Sequence, residues 1–164
     1  MQHRYLVALG SNVPHHRHGR PEAVLRAALD ALGGEGVAVE AVSPVWRTRP
    51  LGPSLRRFAN AVAVVRARFA PDELLEYLRA IEDRFGRKRG GQRWAARVLD
   101  LDIVLWDGGM FADDALVIPH PHFRSRNFVL RPALAIAADW RDPLTGLTIR
   151  HLHARLTRSR QVPN

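Results

Sequence analysis

The stretch Leu99-Asp100-Leu101-Asp102-Ile103-Val104-Leu105 opens by alternating leucine with aspartate. In an extended strand, side chains two residues apart leave on the same face. The spacing predicts a strand with Leu99, Leu101, Ile103 and Leu105 turned to a core and Asp100 and Asp102 turned the other way. The two aspartate Cα atoms would stand about 6–7 Å apart. Carboxylates that close repel each other, and divalent cations relieve the repulsion. Mg2+ binds through one or two carboxylates together with waters and phosphate oxygens, and a pair of ions about 3.5–4 Å apart suits this spacing. On these residues alone, a solvent-facing strand with two ordinary aspartates is the stronger reading.

The residues upstream shift that balance. Arg87, Arg89, Arg93 and Arg97 lie in or beside a loop that also holds Gly86, Gly90 and Gly91. Guanidinium forks match phosphate oxygens. Arginines followed by a carboxylate pair describe a site for a metal-bound polyphosphate. The competing reading is that the arginines simply neutralise the aspartates in salt bridges.

Further outward, the chain alternates strand and helix patterns. Tyr5–Leu9 is an apolar run ending in the turn signal Gly10-Ser11-Asn12. Pro21 to Leu32 carries apolar residues at helical spacing, with proline in the first turn and Gly33-Gly34 after the last. Val37 to Trp46 and Phe58 to Phe69 read as strands. Pro71-Asp72-Glu73 opens a second helix whose apolar stripe is Leu74, Leu75, Leu78, Ile81 and Phe85. Leu116 to Ile118, a helix over 127–138 despite Pro132, and a short helix over 148–156 complete the chain. The order β-α-β-β-α-β plus C-terminal additions predicts an α+β, ferredoxin-like fold. It has an antiparallel sheet with its helices on one face and the other face free for a site. At 164 residues, one domain spanning 1–164 is expected.

Composition narrows the chemistry. There is no cysteine, which excludes disulfides, thiolate metal sites and cysteine nucleophiles. No apolar run is long enough to span a membrane, and the N-terminus lacks a signal-peptide pattern, so a cytoplasmic protein with no membrane partner is expected. The net charge of +9 is almost entirely arginine, since Lys88 is the only lysine. It is compatible with a polyanionic ligand. His15, His16 and His18 sit in a turn without the supporting bonds that a metal site needs, and read as a solvated loop.

Taken together, Arg93-x-Ala-Ala-Arg97-x-x-Asp100-Leu-Asp102-Ile-Val resembles the signature of the 6-hydroxymethyl-7,8-dihydropterin pyrophosphokinase family of folate biosynthesis. The likeness continues in order through Leu9-Gly10-Ser11-Asn12, Arg47-Thr48 with Pro50-Leu51-Gly52-Pro53, Phe58-x-Asn60-Ala61, Ile81-Glu82, Gly86-Arg87, Arg89, Pro119-His120 and Arg126-x-Phe128. The resemblance implies transfer of pyrophosphate from ATP to the pterin hydroxymethyl group, releasing AMP. It implies two Mg2+ ions on Asp100 and Asp102, with Arg87 and Arg97 stabilising phosphate charge. Arg89, His120 and Arg126 would bind the triphosphate, and Ile103, Arg79 and Glu82 would lie near the adenine. Phe58 and Phe128 would sandwich the pterin and Asn60 would read its edge, with Thr48, Leu51 and Trp94 completing the site. The expected partners are small molecules only, acting on a monomer that binds no nucleic acid. Arg49, Ala115, Val117 and Pro121 depart from the family pattern around the pterin and the nucleotide. Two other readings stay open: a basic ferredoxin-like module that binds RNA, and a family member with an altered pterin substrate. The first lacks stacking aromatics on its middle strands.

Overall fold

The computed structural model describes residues 1–48, 57–86 and 97–158. Arg49, Leu51, Arg87, Arg89, Arg93 and Trp94 therefore lie outside the described residues. Among the described residues, seven strands and four α-helices succeed one another in chain order: β1 (His3–Ser11), α1 (Pro21–Leu32), β2 (Val37–Val42), β3 (Trp46–Thr48), β4 (Phe58–Ala67), α2 (Pro71–Arg84), β5 (Asp100–Trp106), β6 (Phe111–Ala112), β7 (Val117–Ile118), α3 (Asn127–Ala137) and α4 (Ile149–Thr157). The main sheet runs β2-β4-β1-β5 with β3 also on β4, and each of these pairs is antiparallel. This is the expected ferredoxin-like α+β arrangement, with β5 at one edge.

Local chemistry sets the helix ends. Pro21 and Pro71 each occupy the first turn of their helix, where a missing N–H costs nothing. Glu73 reaches back to accept the Ala70 amide at 2.7 Å. Gly86, at φ 84, ends α2 in a left-handed conformation, which only glycine adopts without strain. The expected single strand Val37–Trp46 is interrupted, because Pro44 cannot donate to a ladder. Ser43 instead bridges with its hydroxyl to the Val62 amide at 2.9 Å, and pairing resumes at Trp46.

Two cores form, one on each side of the sheet. Leu9, Leu101, Ile103, Ala61 and Val65 pack against α1 and α2. Leu6, Val62, Val64 and Leu105 pack against Phe123, Leu130, Ala133 and Leu152 of the C-terminal segment. The expectation of a free second face is thus corrected. The C-terminal helices carry their own apolar stripes, and these cover most of that face, leaving only one end of the sheet for a site. The strand alternation also breaks once. Leu6 pairs with Leu105 but Val7 pairs with Ile103, so Val104 is an extra residue in β5. A bulge of this kind reverses the facing of the residues beyond it, and Leu105 joins the second core rather than the first.

Candidate active site

The uncovered end of the sheet is organised around Gly10. In β1, Gly10 pairs with Asn60 on one side and with Asp100 on the other. Paired residues share a face. The three form one row across β4, β1 and β5, with Asp102 alongside, opposite Ala8. Neighbouring strands lie about 4.8 Å apart, so Asn60 and Asp100 are about 10 Å apart through the backbone.

Arg97 enters this row from the chain side of β5. Its guanidinium donates to Asp100 Oδ2 at 2.8 Å. Its backbone is gripped at both ends by Asn12, whose Oδ1 accepts the Arg97 amide at 2.7 Å and whose own amide donates to the Arg97 carbonyl at 3.1 Å. The salt-bridge alternative raised from the sequence is therefore realised for Arg97. The role of Asn12 was visible in sequence only as a turn residue. Its spacing of 85 residues from Arg97 carries no local signal.

A cavity of about 560 Å3 wraps edge strand β5 between α2 and the 113–121 segment. That size suits a small-molecule ligand. Arg79, Glu82, Ile103, Asp102 and His120 all line it, so the three residues expected near the adenine meet His120 there, while Arg97 and Arg126 stand outside its lining. Ala115, Val117 and Pro121 line it as well, which places three of the four departures from the family pattern on its wall. Glu82 is buried, and its Oε1 accepts the Leu101 amide at 2.8 Å. It ties the end of α2 to the peptide between the two aspartates. Arg79 donates to Glu76 at 2.7 Å, one helical turn back.

His120 Nε2 and an Arg126 guanidinium nitrogen each stand 4.0 Å from Asp102 Oδ2. Burial, then the charges of Arg126 and His122, lower the His120 pKa to about 4, against the opposing pull of Asp100. His120 is neutral at neutral pH. Its Nδ1 accepts the His122 amide at 3.1 Å, so the hydrogen-bond pattern assigns the ring proton to Nε2, the atom that faces Asp102.

The other end of the row holds the residues expected around the pterin. Asn60 is buried, and its side-chain amide donates to Thr48 Oγ1 at 3.3 Å. Thr48 pairs with Phe58, and Trp46 with Asn60. Phe58 and Asn60 share the strand face predicted for them. Phe128 lies in the first turn of α3, which packs on β4, and the Arg126 guanidinium sits 5.7 Å from its ring centre. Away from the site, the histidine turn is exposed or half-exposed, as read, and holds bonds of its own. His15 Nδ1 accepts the Arg17 and His18 amides at 3.1 and 3.2 Å, and the His18 ring stacks on Phe85 at 5.0 Å. The aromatic surface of Phe85 at the end of α2 draws it in.

Asp100 and Asp102 offer oxygen donors on one partly open strand face. Among the described residues no group of three or more histidines, cysteines and carboxylates could enclose a metal ion. That donor set fits Mg2+ completed by water and phosphate, and does not fit an all-protein cage. Among the described residues no helix is long and apolar enough to cross a membrane.

Fold and site together define an α+β protein in which Asp102, Arg79, buried Glu82 and His120 line a cavity for small ligands, with Asp100 and the buried amide of Asn60 in the cross-strand row beside it. The family model described as 7,8-dihydro-6-hydroxymethylpterin-pyrophosphokinase matches residues 6–138. The 2-amino-4-hydroxy-6-hydroxymethyldihydropteridine pyrophosphokinase of Synechocystis is 38% identical over 90% of this chain and 73% of its own length. The protein of the same name from Pseudomonas aeruginosa is 41% identical over 87% and 86%. This chain belongs to the 7,8-dihydro-6-hydroxymethylpterin-pyrophosphokinase family. Among solved structures, the HPPK-DHPS of Plasmodium falciparum superposes with a TM-score of 0.72 at 12% identity, covering 94% of this chain. The present chain spans 44% of that protein's length, and the likeness is one of fold.

Proposed function

We propose that this protein transfers the terminal pyrophosphoryl group of ATP to the hydroxymethyl oxygen of 6-hydroxymethyl-7,8-dihydropterin in folate biosynthesis, releasing AMP. In this reading it acts as a monomer in the cytoplasm. The observation that carries the reading is the row Asn60–Gly10–Asp100. It sets a group able to read a flat heterocycle and a carboxylate pair able to hold phosphate-bound cations on one face, about two strand spacings apart.

In the reaction the hydroxymethyl oxygen bonds to the β-phosphorus while the bond from that phosphorus to the α–β bridging oxygen breaks, and AMP leaves. Such transfers depend on positioning and charge neutralisation more than on covalent catalysis by the protein. Asp100 and Asp102 would hold Mg2+, which when bound neutralises phosphate charge and lowers the pKa of a coordinated hydroxyl. Arg97, held by Asn12 and partly exposed, can turn from Asp100 to a phosphate oxygen. Neutral His120 donates its Nε2–H, and Arg126 adds a permanent charge beside it. Asn60 presents an amide to the ring edge, and Phe58 and Phe128 supply aromatic faces. Glu82, Arg79 and Ile103 form the wall of the cavity next to the carboxylates and would receive the nucleoside.

The test is AMP release from ATP by purified protein, with Mg2+ and the hydroxymethyl-dihydropterin each omitted in turn. Release that requires both is the expected result. Absence of release with both present, together with identical behaviour of wild type and Asp100→Ala, would sink the reading.

A further inference from the structure

The segment 120–128 carries His120, Arg126 and Phe128, yet little in it is self-supporting. One end is tied to β5 by the His120 amide, which donates to the Val104 carbonyl at 3.0 Å. The other end runs into α3. Between them lies only the short 3-10 turn Phe123–Ser125, closed by the Ser125 and Arg126 amides on the carbonyls of His122 and Phe123 at 3.2 Å each. A turn this short has poor hydrogen-bond geometry; buried Phe123 anchors it in the second core, but an apolar contact is not directional.

Arg124 supplies the fixing. From the middle of the turn, its Nε and one terminal nitrogen donate to the two oxygens of Asp142 at 2.6 and 2.7 Å. Asp142 lies in the connection between α3 and α4, beyond the residues matched by the family model, and its side chain has no solvent exposure. It is held in turn by the Thr145 hydroxyl at 2.6 Å and the Leu144 amide at 3.1 Å. Packing apolar groups of similar volume would often stabilise a domain as well as a buried ion pair does. What an ion pair adds is direction, since a two-pronged fork admits one orientation of the guanidinium.

We infer that Asp142 is a positioning residue for the reaction: through Arg124 it orients the 123–125 turn and so sets His120 and Arg126 at their stations beside Asp102. The inference rests on the proposed role of those two side chains in binding the triphosphate. The C-terminal helices thereby act on the site as well as covering the sheet.

The experiment compares Asp142→Asn and Arg124→Lys with Leu25→Ala, a core change in α1 on the opposite side of the sheet that lowers stability without touching the pair or the turn. Each substitution at the pair should raise KM for ATP about tenfold and leave kcat within threefold, and Leu25→Ala should leave KM unchanged. Hydrogen exchange of the Ser125 and Arg126 amides should quicken in Asp142→Asn but not in Leu25→Ala. An unchanged KM in Asp142→Asn, or an equal rise in Leu25→Ala, overturns the inference. Unchanged exchange at those two amides overturns it whatever the activity. Wild type that released no AMP would refute the proposed function, and the exchange comparison would still decide this point.

Discussion

Two of the places where the protein holds aspartates against arginines differ in kind. Asp142 is 0% exposed, and Arg124 meets both its oxygens in a fork. Asp100 and Asp102 are 26% and 39% exposed, with Arg97 on the first at 2.8 Å and Arg126 no nearer than 4.0 Å from the second. The residue types are the same and the local sequence gives little to tell them apart. What differs is access. A carboxylate closed off by its partners works as a fastener, because a buried charge must be fully met. A carboxylate left within reach of solvent, next to a like charge, suits a cation that arrives with the substrate.

The strongest way to break this comparison is at the open pair. Asp102→Asn should reduce AMP release by about a thousandfold, on the scale of losing one electrostatic contact to the reacting phosphates, with little change in Tm. Mg2+ at saturating concentration should raise the Tm of wild type by mass action and do so less in this variant. A variant that kept its activity and unfolded more easily would turn the open pair into a fastener.

At the closed pair the largest effect should be on stability. Asp142→Ala strands the Arg124 guanidinium and should cost about 3–5 kcal/mol in a urea titration. A loss below about 1 kcal/mol would remove the distinction. Glu82 tests the middle ground, being buried like Asp142 but beside the open pair. Glu82→Ala leaves the Leu101 amide without its acceptor and should cost about 1–3 kcal/mol. Glu82→Gln keeps an acceptor and should recover most of it.

The smallest effect is a pH dependence. Burial alone would raise the Asp142 pKa, but hydrogen bonds from Arg124, Thr145 and the Leu144 amide, with the charge of Arg124, leave it lowered. A carboxylate with a depressed folded pKa takes up its proton less readily than in the unfolded chain. Its stabilisation is therefore present above the pKa of an ordinary aspartate and is lost as the pH falls through its own lower value. The wild-type Tm should fall more steeply than that of Asp142→Asn over that acid range. Parallel curves would contradict the assignment.

The range of each interaction decides how much of the molecule is legible in its sequence. Helix α1 falls at Pro21–Leu32 as read, because proline, apolar spacing and the glycine pair are all local signals. The facing of Asp100 and Asp102 was legible for the same reason, and so was the shared face of Phe58 and Asn60. The second facing of Leu105 was not, since the extra residue Val104 shows only when β5 is laid against β1. The pairing of Arg124 with Asp142 spans 18 residues of chain, and that of Asn12 with Arg97 spans 85. No periodicity encodes either one. The covering of the second face was missed because the apolar stripes of α3 and α4 say that they pack but not on what.

Gly10 fixes the scale of the whole arrangement. The gap between Asn60 and Asp100 is a matter of ladder geometry, with one strand between two others, and no side chain can stretch or shrink it. Distance in a sheet comes in whole strands. A relative of this protein that handled a longer or shorter acceptor could not adjust the gap by degrees, and would have to change the loops that lean over the row or move one half of the site to another strand.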